Sequence, residues 1–222
     1  MRRRLPSLVG TAVILSMIGF VLQPIVGFAQ QPAGAKEPAS TPALLAEVRK
    51  SFTLGGERIP PEIFRDFGDG NLADPPRSVW VTVDLRAAIG SNLYADEITK
   101  NGDWIIQRKP APGTMSGAEA AAYTYIGATE NGLLVVLSTY SGGGTGDFYA
   151  LHLLSLEAAP AFDDNGEVYE RVNLTNLRST PLGDRWQGEV HIAGNTVRVV
   201  TTRKYPSDQS GMREDTFEAR KP

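Results

Sequence analysis

Cysteine is absent from all 222 residues, and histidine occurs only at His152 and His191. The first absence excludes disulfide stapling, thiol catalysis, thiolate zinc sites, iron–sulfur clusters and a cysteine-linked lipid anchor. The second confines any imidazole chemistry to two positions. Basic charge is also scarce: 22 Lys and Arg stand against 25 Asp and Glu, a net charge of −3. That balance argues against nucleic acid and anionic lipid surfaces as partners. No repeat of fixed period is visible, which excludes a propeller or solenoid. After residue 100 no helix-period segment is long enough for a crossover connection, which excludes a parallel α/β sheet.

What is present begins with an export signal. Arg2, Arg3 and Arg4 precede an uncharged run over residues 5–30, the charge asymmetry that orients a secretory signal in the membrane. The apolar core over residues 8–22 is about fifteen residues, at the upper end of a signal h-region and short of the about twenty that span a bilayer. Pro24 interrupts it, and Gly27-Phe28-Ala29 places small residues where an A-x-A-like cleavage site needs them. The sequence therefore predicts a signal peptide over residues 1–29, cleavage after Ala29, a periplasmic or secreted product and no stable membrane anchor once cleaved. An uncleaved anchor over residues 8–28 is the alternative, and Sec and twin-arginine export both stay open. Cleavage removes three arginines and no acids, leaving 193 residues with 19 Lys and Arg against 25 Asp and Glu, a net charge of −6. That length suffices for one domain that buries about 70% of its extended-chain surface.

Residues 30–41 are rich in Gln, Pro, Ala and Gly, offer nothing to bury, and read as a disordered leader. Residues 42–222 read as a single β-rich domain. Thr41 and Pro42 have the chemistry of an N-cap and first helical position, with Leu44, Leu45 and Val48 at helical spacing. A second short helix is expected from Pro60-Pro61 through Phe67. From Ser78 the period changes to two, with Val79, Val81, Val83 and Leu85 on one face. Residues 87–99 fit either further helical turns or none, although Asp84 is suited to cap a turn running to Ile89. Strands are then expected at 123–129, 133–140, 148–156, 168–177, 186–192, 196–202 and 216–219. Asn131-Gly132 signals a type I′ hairpin, Asp164-Asn165-Gly166 another turn, and Gly194-Asn195 a II′ hairpin. The implied fold is mainly β: an antiparallel β-sandwich or barrel-like domain with one or two short N-terminal helices.

Candidate sites are few. Ser141-Gly142-Gly143-Gly144-Thr145-Gly146-Asp147 resembles a phosphate cradle in glycine content, but it joins strand to strand and lacks the lysine of a Walker loop. Its alternatives are a flexible hairpin tip and a rigid binding loop. Asp184 and Arg185 form a second polar point, suited to a structural corner or to the mouth of a pocket beside that loop. The candidate ligand-binding set is thus Gly142, Gly143, Gly144, Asp147, Asp184 and Arg185. Asp66, Asp69, Asn71 and Asp74 concentrate oxygen ligands within nine residues, as calcium requires, though without EF-hand spacing. The competing reading is a solvated Asp/Gly turn, with no cofactor at all. His152, flanked by leucines, reads as a hydrogen-bonded core residue. His191 reads as solvent-facing, with Glu189 on its own face. No G-x-S-x-G elbow nominates a serine nucleophile.

The stretch Gly142-Gly143-Gly144-Thr145-Gly146-Asp147-Phe148-Tyr149-Ala150-Leu151, followed by Leu182-Gly183-Asp184-Arg185, resembles a pairing found in an uncharacterised family of exported Gram-negative bacterial proteins. Residues 59–74 and 81–96 are similar to the same group. The resemblance implies a periplasmic location and a β-rich fold, and it brings no activity and no catalytic residue.

Three functions of different class follow. One is a non-enzymatic binding or interaction module whose partner is an envelope protein or small ligand. Another is an envelope-directed hydrolase using Asp147, Asp184 or Glu189. The last is a structural envelope protein.

Overall fold

Ser40 is extended, with φ −62° and ψ 150°, and the chain turns helical at the next residue to make α1, Thr41–Ser51. The cap thus sits one residue earlier than Thr41. The Ser40 side chain makes no capping bond, while the Thr41 hydroxyl accepts from the Arg86 guanidinium at 3.2 Å. Thr41 is therefore a buried part of the helix rather than the last residue of a leader. The computed structural model describes residues 40–68, 80–90, 97–109, 118–203 and 213–221, all within one compact unit, Pro38–Pro222. Residues 1–39, which hold the expected signal peptide and most of the expected leader, lie outside the described residues. Among those described, no helix is long and apolar enough to cross a membrane.

α1 ends at Phe52, which takes a left-handed φ of 55° and returns its N–H to the Val48 carbonyl at 2.9 Å. Glycine is the usual residue for that conformation. Phe52 is held there by its ring, which stacks near Phe64 and Tyr125 and meets Tyr123 edge-on. A two-residue hairpin follows, β1 (Thr53–Leu54) against β2 (Glu57–Arg58). Gly55 and Gly56 both have positive φ, as a type I′ turn demands. Their amides, at 3.0 and 2.8 Å, converge on the Glu47 carboxylate of α1. α2 (Ile63–Gly68) then buries Ile63, Phe64 and Phe67.

The main sheet has seven antiparallel strands in the order β3-β9-β8-β7-β6-β5-β4. Its members are β3 (Val81–Asp84), β4 (Ile98–Asn101), β5 (Trp104–Lys109), β6 (Glu119–Ala128), β7 (Leu134–Ser141), β8 (Phe148–Phe162) and β9 (Val168–Asp184). The chain enters at the β3 edge, passes through α3 (Leu85–Gly90) to the opposite edge, and meanders back from β4 to β9. Of the readings left open over residues 84–99, the helical turn to Ile89 is present: Asp84 caps α3, its Oδ1 accepting the Arg86 N–H at 3.0 Å. Ile98 lies on a strand, not on a helical turn.

Alternate side chains leave the sheet on opposite faces. Leu134, Val136, Leu154 and Leu156 meet Val48, Phe52, Ile63, Phe64, Phe67 and Leu85 of the helical layer. Their neighbours Val135, Leu137, Leu151 and Leu153 meet Val197, Val199 and Trp186. That second layer is a three-stranded sheet, β10 (Gln187–Ala193), β11 (Thr196–Arg203) and β12 (Arg213–Glu218). The fold is the expected mainly β antiparallel sandwich, with helices covering its outer face. It is not a barrel, because β3 and β4 are the two edges of an open sheet.

One turn assignment changes. Gly132 has φ 81° and Asn131 does not have positive φ, so residues 129–133 are not type I′. Gly132 donates to Thr129 and Thr129 to Leu133, both through backbone atoms, which is the three-residue loop with a glycine bulge. The turn over residues 163–167 repeats that pattern around Gly166. Gly194, with φ 60°, suits the expected II′ turn. That turn clasps the first one: Glu130 N–H donates to the Gly194 carbonyl at 3.1 Å, and Asn131 N–H to Asn195 Oδ1 at 2.8 Å.

Candidate functional site

The glycine loop and the Asp184-Arg185 corner come together, because β8 starts beside the end of β9 and Phe148 pairs with Asp184. Asp184 Oδ1 accepts the Asp147 N–H at 2.8 Å, and the Arg185 N–H returns to the Asp147 carbonyl at 2.7 Å. The Arg185 guanidinium donates to the Thr145 carbonyl. Within the loop over residues 142–146, positive φ occurs at Gly143 alone, at 81°. Gly146 sits close to its neighbours: a Cβ there would stand 3.0 Å from the exposed Phe148 ring, which would have to shift slightly, and 3.4 Å from Asp184 Oδ1. The polar groups thus aim at backbone partners within the loop, and together they set the loop's shape. Glu189 stands apart on β10 with His191 Nε2 3.0 Å away, both exposed, so the three acids of a carboxylate mechanism do not share one cluster.

His152 is fully buried on the helical side of β8, its ring tilted against Phe64 and Phe67. Ser138 Oγ lies 2.7 Å from Nε2 and Ser179 Oγ 2.8 Å from Nδ1. Ser179 also donates to the Phe67 carbonyl at 3.2 Å, joined there by the Asn176 amide. Burial pushes the pKa down to about 3, so the imidazole is neutral, and both of its ring nitrogens have a hydroxyl partner. The network ties the end of α2 to the sheet. A buried base enclosed by two phenylalanines has no path to a substrate.

A second polar cluster underlies α2. Buried Glu62 pairs with Lys109, and its N–H donates to Gln107 Oε1 at 3.3 Å. Arg65 pairs with Glu119 at 2.8 Å and lies over the Tyr140 ring at 5.1 Å, while the Tyr140 hydroxyl donates to Glu119. These are opposite charges matched in place, an arrangement that fastens a helix. Of the calcium candidate, Asp66 falls in α2, and Asp69, Asn71 and Asp74 lie outside the described residues. Among the described residues, no three acidic or histidine side chains are grouped to hold a metal ion. A shallow depression of about 280 Å³ lies beside the edge strand β4, lined by Gly56, Glu57, Arg58 and Ile98.

The feature that sequence reasoning missed is an arm. β7 pairs with β8 only as far as Leu154, and β3 pairs with β9 only as far as Asn173. Beyond these points β8 and β9 continue together through five cross-strand pairs, from Ala158–Val172 to Phe162–Val168. At about 3.3 Å per residue this ribbon extends roughly 16 Å. Its last pair is apolar and exposed, Phe162 at 73% and Val168 at 69%. The tip is well made: Asp163 Oδ1 accepts the N–H groups of Asn165 and Glu167, each at 2.9 Å. Those bonds hold the Asp163 carboxyl below its ordinary pKa. Residues 157–171 carry Glu157, Asp163, Asp164, Glu167 and Glu170 against Arg171 alone.

No family model matches this chain, and no curated protein or solved structure matches it either.

Proposed function

We propose that this is an exported, non-enzymatic interaction module that contacts an envelope protein through the arm formed by β8 and β9. One observation carries the reading: an apolar cross-strand pair, Phe162 with Val168, stands exposed at the end of a ribbon that outruns its neighbours. Neither side chain belongs to either hydrophobic core, so folding gains little from them. A paired strand edge with apolar side chains invites contact and association, and natural proteins keep such surfaces where a partner covers them. An aromatic seated in a partner's pocket withdraws on the order of 150 Å² or more from water, worth about 2 to 3 kcal/mol. The buried, neutral His152 and the corner bonds of Asp184 and Arg185 agree with a scaffold that presents a surface. Export rests on the three arginines, the apolar core and the Ala29 cleavage site of the leader.

The test replaces both apolar tip residues, as Phe162→Ser with Val168→Ser. The expected result is an unchanged circular-dichroism spectrum and melting temperature, together with loss of the higher-mass species that chemical crosslinking of intact cells gives for the wild type. Retention of that species in the folded double variant contradicts the reading. Sequencing the mature N-terminus tests export separately, with Gln30 expected as the first residue.

A further inference from the structure

The two edges of the arm are not equivalent, and their difference specifies what can bind. The Val172 N–H points away from β8, toward Asp84 Oδ1 at 3.3 Å. In a regular antiparallel ribbon, residues two apart face the same way. Glu170 and Val168 therefore also turn their N–H and C=O groups outward, past the point where β3 ends at Asp84. The bond from Asp163 N–H to the Glu167 carbonyl at 2.9 Å fixes the same phase from the other end. On β8, the residue opposite Glu170 is Pro160. It occupies the outward phase, where it removes a donor and places its ring in the way of an incoming strand. One edge of the arm is closed, and among the described residues the β9 edge is open over Val168 to Glu170, the next outward amide, Val172, being taken by Asp84.

The open edge is also acidic. Five carboxylates against one arginine give residues 157–171 a net charge of −4, and Glu170 sits at the centre of the open edge. A second copy added antiparallel about that centre would set Glu170 against itself, and like charges directly opposite destabilise a pair. We infer that the arm takes a basic, extended segment of another protein as an added strand on the β9 edge, over Val168 to Glu170, with a basic side chain opposite Glu170 and an apolar one opposite Val168 on the same face. This rests on the arm being the contact surface. Main-chain bonds supply affinity in such strand addition, and alternate side chains supply selectivity.

The test uses the mature chain and a synthetic peptide of repeating lysine-threonine-valine-threonine, which sets lysine and valine on one face, with a glutamate-threonine-valine-threonine peptide as counterpart, read by amide chemical shifts and titration. The lysine peptide is expected to shift the Val168 and Glu170 amides. Binding should weaken about fivefold in Glu170→Lys and about tenfold in Val168→Pro, which removes an edge donor. Glu214→Lys, the same charge change on β12 in the other sheet, should leave binding within about twofold. Equal weakening by Glu214→Lys, or unchanged binding in Val168→Pro, overturns the inference by showing charge attraction without strand addition. So does preference for the glutamate peptide, or self-association through the arm. If the lysine peptide fails while crosslinks through Phe162 to another protein persist, the strand inference falls and the arm reading stands. If those crosslinks are absent too, both fall.

Discussion

His152 is an ionisable side chain placed where a charge has no solvent. Its folded pKa of about 3 lies below the ordinary 6.5, so between those values the unfolded chain binds the proton and the folded one does not. Its contribution is complete above pH 6.5 and falls by about 1.4 kcal/mol per pH unit below it. At pH 5 the loss should be about 2 kcal/mol relative to pH 7.5. Urea unfolding at the two pH values measures this, and the difference should shrink by that amount in a folded His152→Asn variant. Phe52 makes a second prediction, because its ring stabilises and its backbone does not. Removing a buried phenyl costs about 3 to 5 kcal/mol, while the φ of 55° suits glycine by about 1 kcal/mol over alanine. Phe52→Gly should therefore be less destabilised than Phe52→Ala, the reverse of the usual order, in the same denaturation experiment.

Among the elements, β10 and β11 meet at a close approach. Gly188 lies at a register shift in that pair, and a Cβ there would overlap both the Val200 carbonyl oxygen and the Trp186 indole. Trp186 has little freedom to move, since its Nε1 donates to Thr201 Oγ1 at 2.9 Å inside the core. Gly188→Ala should lower stability by about 3 kcal/mol, seen as a shifted unfolding midpoint with an unchanged denaturant slope. The sequence carries no mark of this glycine's duty. Elements were legible where a local pattern and the fold agreed. Leu133 to Leu137, apolar on both faces, leads into and starts the central strand β7, covered on both sides. They were hidden where tertiary pairing overrode weak propensity: β6 begins in the alanine run at 120–122, and β8 continues through Ala158, Ala159 and Pro160. Alanine and proline are depleted in strands, so nothing local announced residues 157–162. The hairpin at Gly55-Gly56 was not among the expected elements, although paired turn glycines stand there between its two short strands. The strands β4 and β5 were missed between segments of unclear period.

At the scale of the whole molecule, the loop and corner could be paired in advance only as a guess, since 37 residues separate Asp147 from Asp184. The same long hairpin that joins them at one end projects the arm at the other. The corner holds its polar groups inward on backbone, and the arm turns Phe162 and Val168 outward. A scaffold closed at one end and exposed at the other is the physical basis for assigning contact to the arm. Position-specific photocrosslinking in the expressing cell measures that assignment most directly, with the photoreactive residue in place of Phe162 and, in a second strain, in place of exposed Thr202 on β11. The account predicts one discrete adduct from position 162 and none from position 202. An adduct from 202 with none from 162 would contradict it.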